Sequence, residues 1–180
     1  MSSVDSQCLE SFPEWLRSLA DDARALCQVL ESAPAEPARR AAANALNYLF
    51  KSIDLIPDGL EDLGFLDDAF VFRVALSSAG DSSAGADPGG VAERLASEAA
   101  LVREFLGAEY PRLESYVAGL EAKPVRGRTV EILLGDSEQR GELVREIQSW
   151  AESFEAPSFF RDQKSLVKLR SFLTTRLAAV

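Results

Sequence analysis

The sequence predicts an all-α protein, a bundle of about seven helices that contains a helix-corner-helix hairpin. Three observations carry this expectation. Apolar residues recur at spacings of three and four, as in Phe12, Trp15, Leu16, Leu19, Ala23, Leu26, Cys27 and Leu30, which is the period of a helix with one buried face. Stretches rich in proline, glycine and small polar residues separate such runs at 32–38, 80–90 and 123–129. Only the run TVEILL at 129–134 has the β-branched content of a strand, and a lone strand has nothing to pair with.

The elements follow in order. The first helix is expected from Ser11, where Glu14 completes a capping box, to about Ser32. Arg17, Asp21, Asp22, Arg24 and Glu31 lie opposite its apolar stripe, on the expected solvent side. Pro37 suits the first turn of a second helix, which carries an alanine run into Leu46, Tyr48, Leu49 and Phe50 and ends near Ser52. Ile56 precedes Pro57 and is biased away from the α region, and Gly59 loosens the corner again. A third helix begins around Asp67 and runs through Phe70, Val71, Val74 and Leu76. Gly80 to Gly90 reads as a linker with nothing to bury, dividing the chain into an N-terminal lobe, 1–79, and a C-terminal lobe, 91–180. A fourth helix covers Val91 to Leu106 and breaks at Gly107, and a fifth carries Tyr110, Leu113, Val117 and Leu120. TVEILL then makes one helical turn capped by Thr129, and Asp136 caps a helix that includes Leu143, Val144, Ile147, Trp150 and Phe154. The last helix starts near Arg161 and buries Leu166, Leu169, Leu173 and Leu177.

Composition narrows the function. The 180 residues include no histidine, which removes Ser-His-Asp and Cys-His nucleophiles, His-ligated metals and the usual general base. A net charge of −10 disfavours nucleic acid as a partner. Cys8 and Cys27 read as small core residues of a protein in a reducing compartment. The N-terminal residues lack the pattern of a secretory signal and no apolar run approaches 18 residues, so a cytoplasmic location without a membrane span is expected. No pair of acids stands out as an acid/base pair, and GADPGG lacks the lysine of a phosphate-binding loop, so no catalytic residue and no organic cofactor are expected.

The segment Tyr48 to Asp68 reads YLFKSIDLIPDGLEDLGFLDD and places Asp54, Asp58, Glu61, Asp62, Asp67 and Asp68 together without a base among them. Such crowding must be offset by solvation, by amides at helix starts, by flanking Lys51 and Arg73, or by a bound cation. In the ordinary reading Asp58 and Asp67 cap a turn and the third helix, while Pro57, Gly59 and Gly64 shape the corner. In the rival reading Asp54, Asp58, Glu61, Asp67 and Asp68 ligate magnesium or calcium. Asp54, Asp58 and Gly59 fall on positions 1, 5 and 6 of a calcium-loop template, but Ile56 and Phe65 fail at positions 3 and 12. Through Tyr48, the DLIPD run and the Gly64-Phe65-Leu66-Asp67-Asp68 run, residues of about 44–76 resemble the YkvA-like family, a domain of unknown function. The resemblance implies a helical hairpin with an irregular acidic corner and supplies no activity.

Arg161 to Val180 is the one basic element, with Arg161, Lys164, Lys168, Arg170 and Arg176 against Asp162. Its ordinary reading is a helix that sets its charges beside acidic neighbours. Its functional reading is an anionic partner or a peripheral membrane contact through Lys164, Lys168, Arg170 and Arg176, extended by Lys123, Arg126 and Arg128. Phe159 and Phe160 mark either core packing or, if exposed, a partner site. Taken together, the residues point to a non-enzymatic protein-protein interaction or scaffold module, with a divalent-metal protein or hydrolase built on the acidic corner as the alternative.

Overall fold

A computed structural model describes residues 2–52 and 54–179. Among them the chain forms α1 (Ser3–Ser32), α2 (Glu36–Tyr48), α3 (Leu66–Ser78), α4 (Val91–Leu106), α5 (Tyr110–Leu120), α6 (Val130–Gly135), α7 (Ser137–Ser153) and α8 (Gln163–Leu177), with 3-10 turns at Gly80–Ser83 and Gly107–Glu109. The all-α bundle matches the expectation, and the single turn capped by Thr129 is α6, where Thr129 accepts from the Ile132 N–H.

Helix α1 begins well before the expected Ser11. Ser2 Oγ accepts from the Asp5 N–H at 3.0 Å while the Asp5 carboxylate accepts from the Ser2 N–H at 3.2 Å, so the capping box forms at Ser2 and Asp5 instead of Ser11 and Glu14. The added turns bury Cys8 and Leu9 on the same stripe as Phe12, which offsets the bond that Pro13 removes inside the helix. Helix α2 ends at Tyr48 instead of Ser52. Its last turn tightens through i+3 bonds from the Phe50 and Lys51 N–H groups to the Asn47 and Tyr48 carbonyls, and the corner begins there.

Helix α3 is the centre of the molecule: every residue from Leu66 to Leu76 is buried, as expected for a helix surrounded on all sides. It packs against α1, α2, α4 and α5. Phe12 of α1 meets Phe70, Phe105 and Phe159 at ring-centroid distances of 5.1, 5.2 and 6.1 Å. The stretch 80–90, expected to bury nothing, buries Ser83, Ala86 and Asp87. Ser83 donates to the Leu76 carbonyl at 2.7 Å, and the Asp87 carboxylate accepts from the Val91 and Ala92 N–H groups at 3.0 and 2.9 Å. Asp87 is thus the start signal of α4. Residues of both expected lobes contribute to one buried cluster that runs from Cys8 to Leu177, with α1 against α4, α7 and α8.

Charges are also buried here. Asp22, expected on the solvent side, is only 2% exposed, and Arg73 is fully buried. Arg73 ion-pairs with Glu98 at 2.6 Å and lies over the Trp15 ring at 3.8 Å, while Arg94 joins Asp22 to Glu98. This network ties α1, α3 and α4 together, and its paired geometry is what makes buried charge tolerable.

Candidate functional site

The corner between α2 and α3 is organised by two side chains. Tyr48, the last residue of α2, donates its hydroxyl proton to Asp67 Oδ2 at 2.6 Å and accepts from the Leu55 N–H at 2.9 Å. The same Asp67 oxygen accepts from the Ile56 N–H at 3.0 Å. Three otherwise orphaned polar groups are satisfied, and buried Leu55 and Ile56 are drawn under the loop. Beyond Pro57 the chain turns tightly: the Leu60 carbonyl accepts from the Leu63 and Gly64 N–H groups at 3.1 and 2.7 Å. At Gly64 a Cβ would stand 2.3 Å from the Asp58 carbonyl oxygen, so only glycine fits. At Gly59 a Cβ would meet nothing and the backbone is not left-handed; of the two glycines expected to shape the corner, Gly64 alone is required. Phe65 takes a left-handed φ of 64°, at a cost of about 1–2 kcal/mol. Its ring packs against Trp150 and Phe154 of the α7 end at 6.2 and 5.2 Å, which holds it there.

A family model described as a protein of unknown function (DUF1232) matches residues 38–73. The hairpin carries a domain of unknown function. No curated protein and no solved structure matches the chain. The matched DUF1232 stretch takes in most of α2, the whole corner and α3 as far as Arg73, so it holds every residue of the Tyr48–Asp67 lock.

The acids of this hairpin divide into two sets. Asp58 and Glu61 are exposed, and Asp62 is half-buried and paired with Lys168 at 2.7 Å. Asp67 and Asp68 are buried and Asp54 is half-buried. Asp67 is in the first turn of α3 but spends its carboxylate on Tyr48 and the loop, not on capping. Burial, with the charges of Asp67 and Asp58 adding to it, pushes Asp54 up to about 7. Burial also raises Asp67, against the hydrogen bonds from Tyr48 and Ile56, and holds Asp68 well above the usual carboxylate range. Burial first, then the facing carboxylates, keep the Tyr48 phenol protonated and therefore a donor. Asp54 Oδ1, Asp67 Oδ1 and Asp68 Oδ2 are buried without a hydrogen-bond partner among the described residues.

Of the two bases expected to offset this charge, Lys51 lies near enough to Asp54 to favour its ionised form, but Arg73 is committed to Glu98 and Trp15. Among the described residues no three acidic or cysteine side chains group as they would to hold a metal ion. Burial raises both thiols, Cys8 and Cys27, to about 12, so neither is a nucleophile at neutral pH. Chemically, the corner can hold protons within a buried carboxyl cluster.

The basic helix α8 mostly spends its charge inside the molecule. Lys168 reaches Asp62, Arg170 donates to the Phe105 carbonyl at 3.1 Å and lies 3.7 Å from Asp5, and Arg161 meets Glu14 at 3.3 Å. Arg126 and Arg128, expected to extend a basic patch, both bind Glu146, and Arg128 is buried. Lys123, Lys164 and Arg176 make no salt bridge among the described residues and remain on the surface.

Two outcomes are expected. Gly64→Ala should destabilise the fold by about 1–3 kcal/mol and Gly59→Ala by less than about 0.5 kcal/mol, read from denaturant melts. Because Asp54, Asp67 and Asp68 are raised above their unfolded values near 3.9, the folded state binds more protons than the unfolded one. The Asp54 contribution to stability is fully present below about pH 4 and is lost as pH rises through about 7, and those of Asp67 and Asp68 are lost likewise as pH rises through their raised values. The thermal midpoint should therefore fall between pH 5 and pH 8, and Asp54→Asn should flatten the fall; a rising midpoint would contradict the assignment.

Proposed function

We propose that the protein is a non-enzymatic interaction module that presents the outer face of α8 to an apolar protein surface with acidic flanks. The observation that carries this reading is exposed apolar side chains on and before that helix: Phe160 is 62% and Val167 57% exposed. A groove on the same helix is lined by Lys168, Ser171, Phe172, Thr175 and Arg176, mostly with apolar surface. Apolar side chains bordered by lysine and arginine suit an amphipathic partner helix with acids at its edges. No helix among the described residues is long and apolar enough to cross a membrane. Two buried free thiols suit a reducing, cytoplasmic setting. The Tyr48–Asp68 signature lies within the matched residues 38–73, which supports the YkvA-like reading of the hairpin.

The test is a photo-crosslinking residue at position 167 of the full chain in intact cells, with exposed position 104 as control. A defined adduct from 167 that disappears with Phe172→Glu is expected, while adducts of equal intensity from both positions, or none, would refute the reading.

A second reading, a divalent cation at the acidic corner, rests on the three partnerless buried oxygens on Asp54, Asp67 and Asp68, and it requires those carboxylates to draw together, since no three acids group as metal ligands among the described residues. A cation would replace the protons that the cluster otherwise holds. At pH 8 in chelator-stripped protein, magnesium, calcium or manganese at ~100 times its dissociation constant should then add about 2.7 kcal/mol of stability, an effect that Asp68→Asn removes. An unchanged melting curve with all three ions would eliminate this reading.

A further inference from the structure

A cavity of about 190 Å³ opens beside the corner, where the loop after α2 meets α5 and the end of α8. Its walls include Lys51, Asp54, Leu55, Tyr116, Lys123 and Arg176. A larger cavity of about 490 Å³ shares Tyr116 and Lys123 and adds Arg112, Ser115, Gly119 and Leu177. Together they bring four bases against one acid in a chain whose net charge is −10. Most arginines of the molecule are paired with carboxylates, as in Arg24–Asp21, Arg40–Glu131 and Arg128–Glu146. Lys123 and Arg176 are not paired with a carboxylate among the described residues: Lys123 stands 5.7 Å from the Tyr116 ring centroid and Arg176 lies 5.5 Å from that of Phe172. Burial lowers the Lys51 ammonium, the Asp54 carboxylate opposes that shift, and the charge of Lys123 adds to it. Lys123 and Arg176, which share the cavity wall without a carboxylate partner among the described residues, would be stabilised by an anion between them.

We propose that this paired cavity binds a phosphomonoester, its phosphate in the smaller chamber among Lys51, Lys123 and Arg176 and the rest of the molecule in the larger one over Gly119 and Leu177. The charge count selects the ligand class. A phosphomonoester carries about −1.5 to −2 at neutral pH, which matches Lys123 and Arg176 together, whereas a carboxylate carries one charge and matches only one of them. Arg176 supplies a planar fork for two phosphate oxygens, and the lysines act as point charges. Tyr116, whose phenol burial raises to about 12, stays protonated and is available as a neutral donor. Asp54, the one acid in the lining, is raised to about 7. Below that pH it is a neutral donor, and above it a repelling charge.

The test is calorimetric titration of the intact protein with phenyl phosphate at pH 6.5 and low salt, with benzoate as the single-charge comparison. Saturable binding at one site is expected, at least about ten-fold weaker for benzoate and for the variants Lys123→Gln and Arg176→Gln, which each remove a charge-assisted hydrogen bond. Lys164→Gln, an exposed base of α8 outside both cavities, should bind like the parent, and thermal melts verify that all three variants are folded. Sedimentation with phosphatidylcholine vesicles containing phosphatidic acid separates the sources. Pelleting that Lys123→Gln and Arg176→Gln abolish assigns a lipid phosphomonoester, and phenyl phosphate binding without pelleting assigns a soluble one. No saturable binding, equal binding of benzoate, or an equal loss in Lys164→Gln would overturn the proposal.

Discussion

The hydrogen bond from the Tyr48 hydroxyl to Asp67 joins the end of one helix to the start of the next, and the rest of the molecule is built around that junction. It turns the chain back so that α3 enters the bundle with every residue from Leu66 to Leu76 out of water. A helix so enclosed needs its first turn placed accurately, because a small rotation would move Arg73 off Glu98 and Phe70 out of the Phe12–Phe105 cluster. The bond also closes the loop, since the same two side chains take the Leu55 and Ile56 amides. Gly64 and the left-handed Phe65 are the backbone side of the same constraint: the turn is so tight that one position admits no side chain and its neighbour carries strain held by aromatic packing.

The electrostatics of the junction run against those of the surface. Outside, pairs such as Arg24–Asp21 and Arg112–Glu109 are exposed and contribute little. At the junction, buried carboxyl groups face one another with no arginine among them, and protons are the counter-charge that the protein itself supplies. That makes the corner responsive to whatever can replace a proton, and it puts Asp54, raised to about 7, on the wall of a cavity that also carries Lys51, Lys123 and Arg176. The match of residues 38–73 to a family of unknown function falls on this junction and leaves all of α1 and all of α4 to α8 outside it.

Most of the bundle was legible in the sequence because apolar spacing, Pro37, Gly107, Thr129 and Asp136 are local signals, and helix stripes follow local periodicity. The start of α1 was misplaced because two capping boxes compete in the sequence, Ser2–Asp5 and Ser11–Glu14, and only the burial of Cys8 and Leu9 decides between them. Asp22 looked like a solvent-side charge and Arg73 like a counter-charge to the acidic corner, since the partners that make them tolerable when buried, Arg94 and Glu98, are distant in sequence. Asp87 sat in a segment whose small polar composition reads as linker, and its capping role shows only once α4 is in place. At the corner the acids, Pro57 and Gly64 were visible, but the choice of Asp67 over Asp58 as the organising carboxylate was not. It depends on where the Tyr48 hydroxyl arrives after the turn.

The most direct test of this account is a double-mutant cycle between Tyr48→Phe and Asp67→Asn, read from denaturant melts at pH 7. If the hydroxyl-to-carboxylate bond organises the corner, Tyr48→Phe should cost about 1–3 kcal/mol by leaving Asp67 and the Leu55 amide without their partner. The two losses should then be coupled by at least about 0.5 kcal/mol. A Tyr48→Phe protein as stable as the parent, or losses that simply add, would contradict the claim that this bond holds the hairpin together.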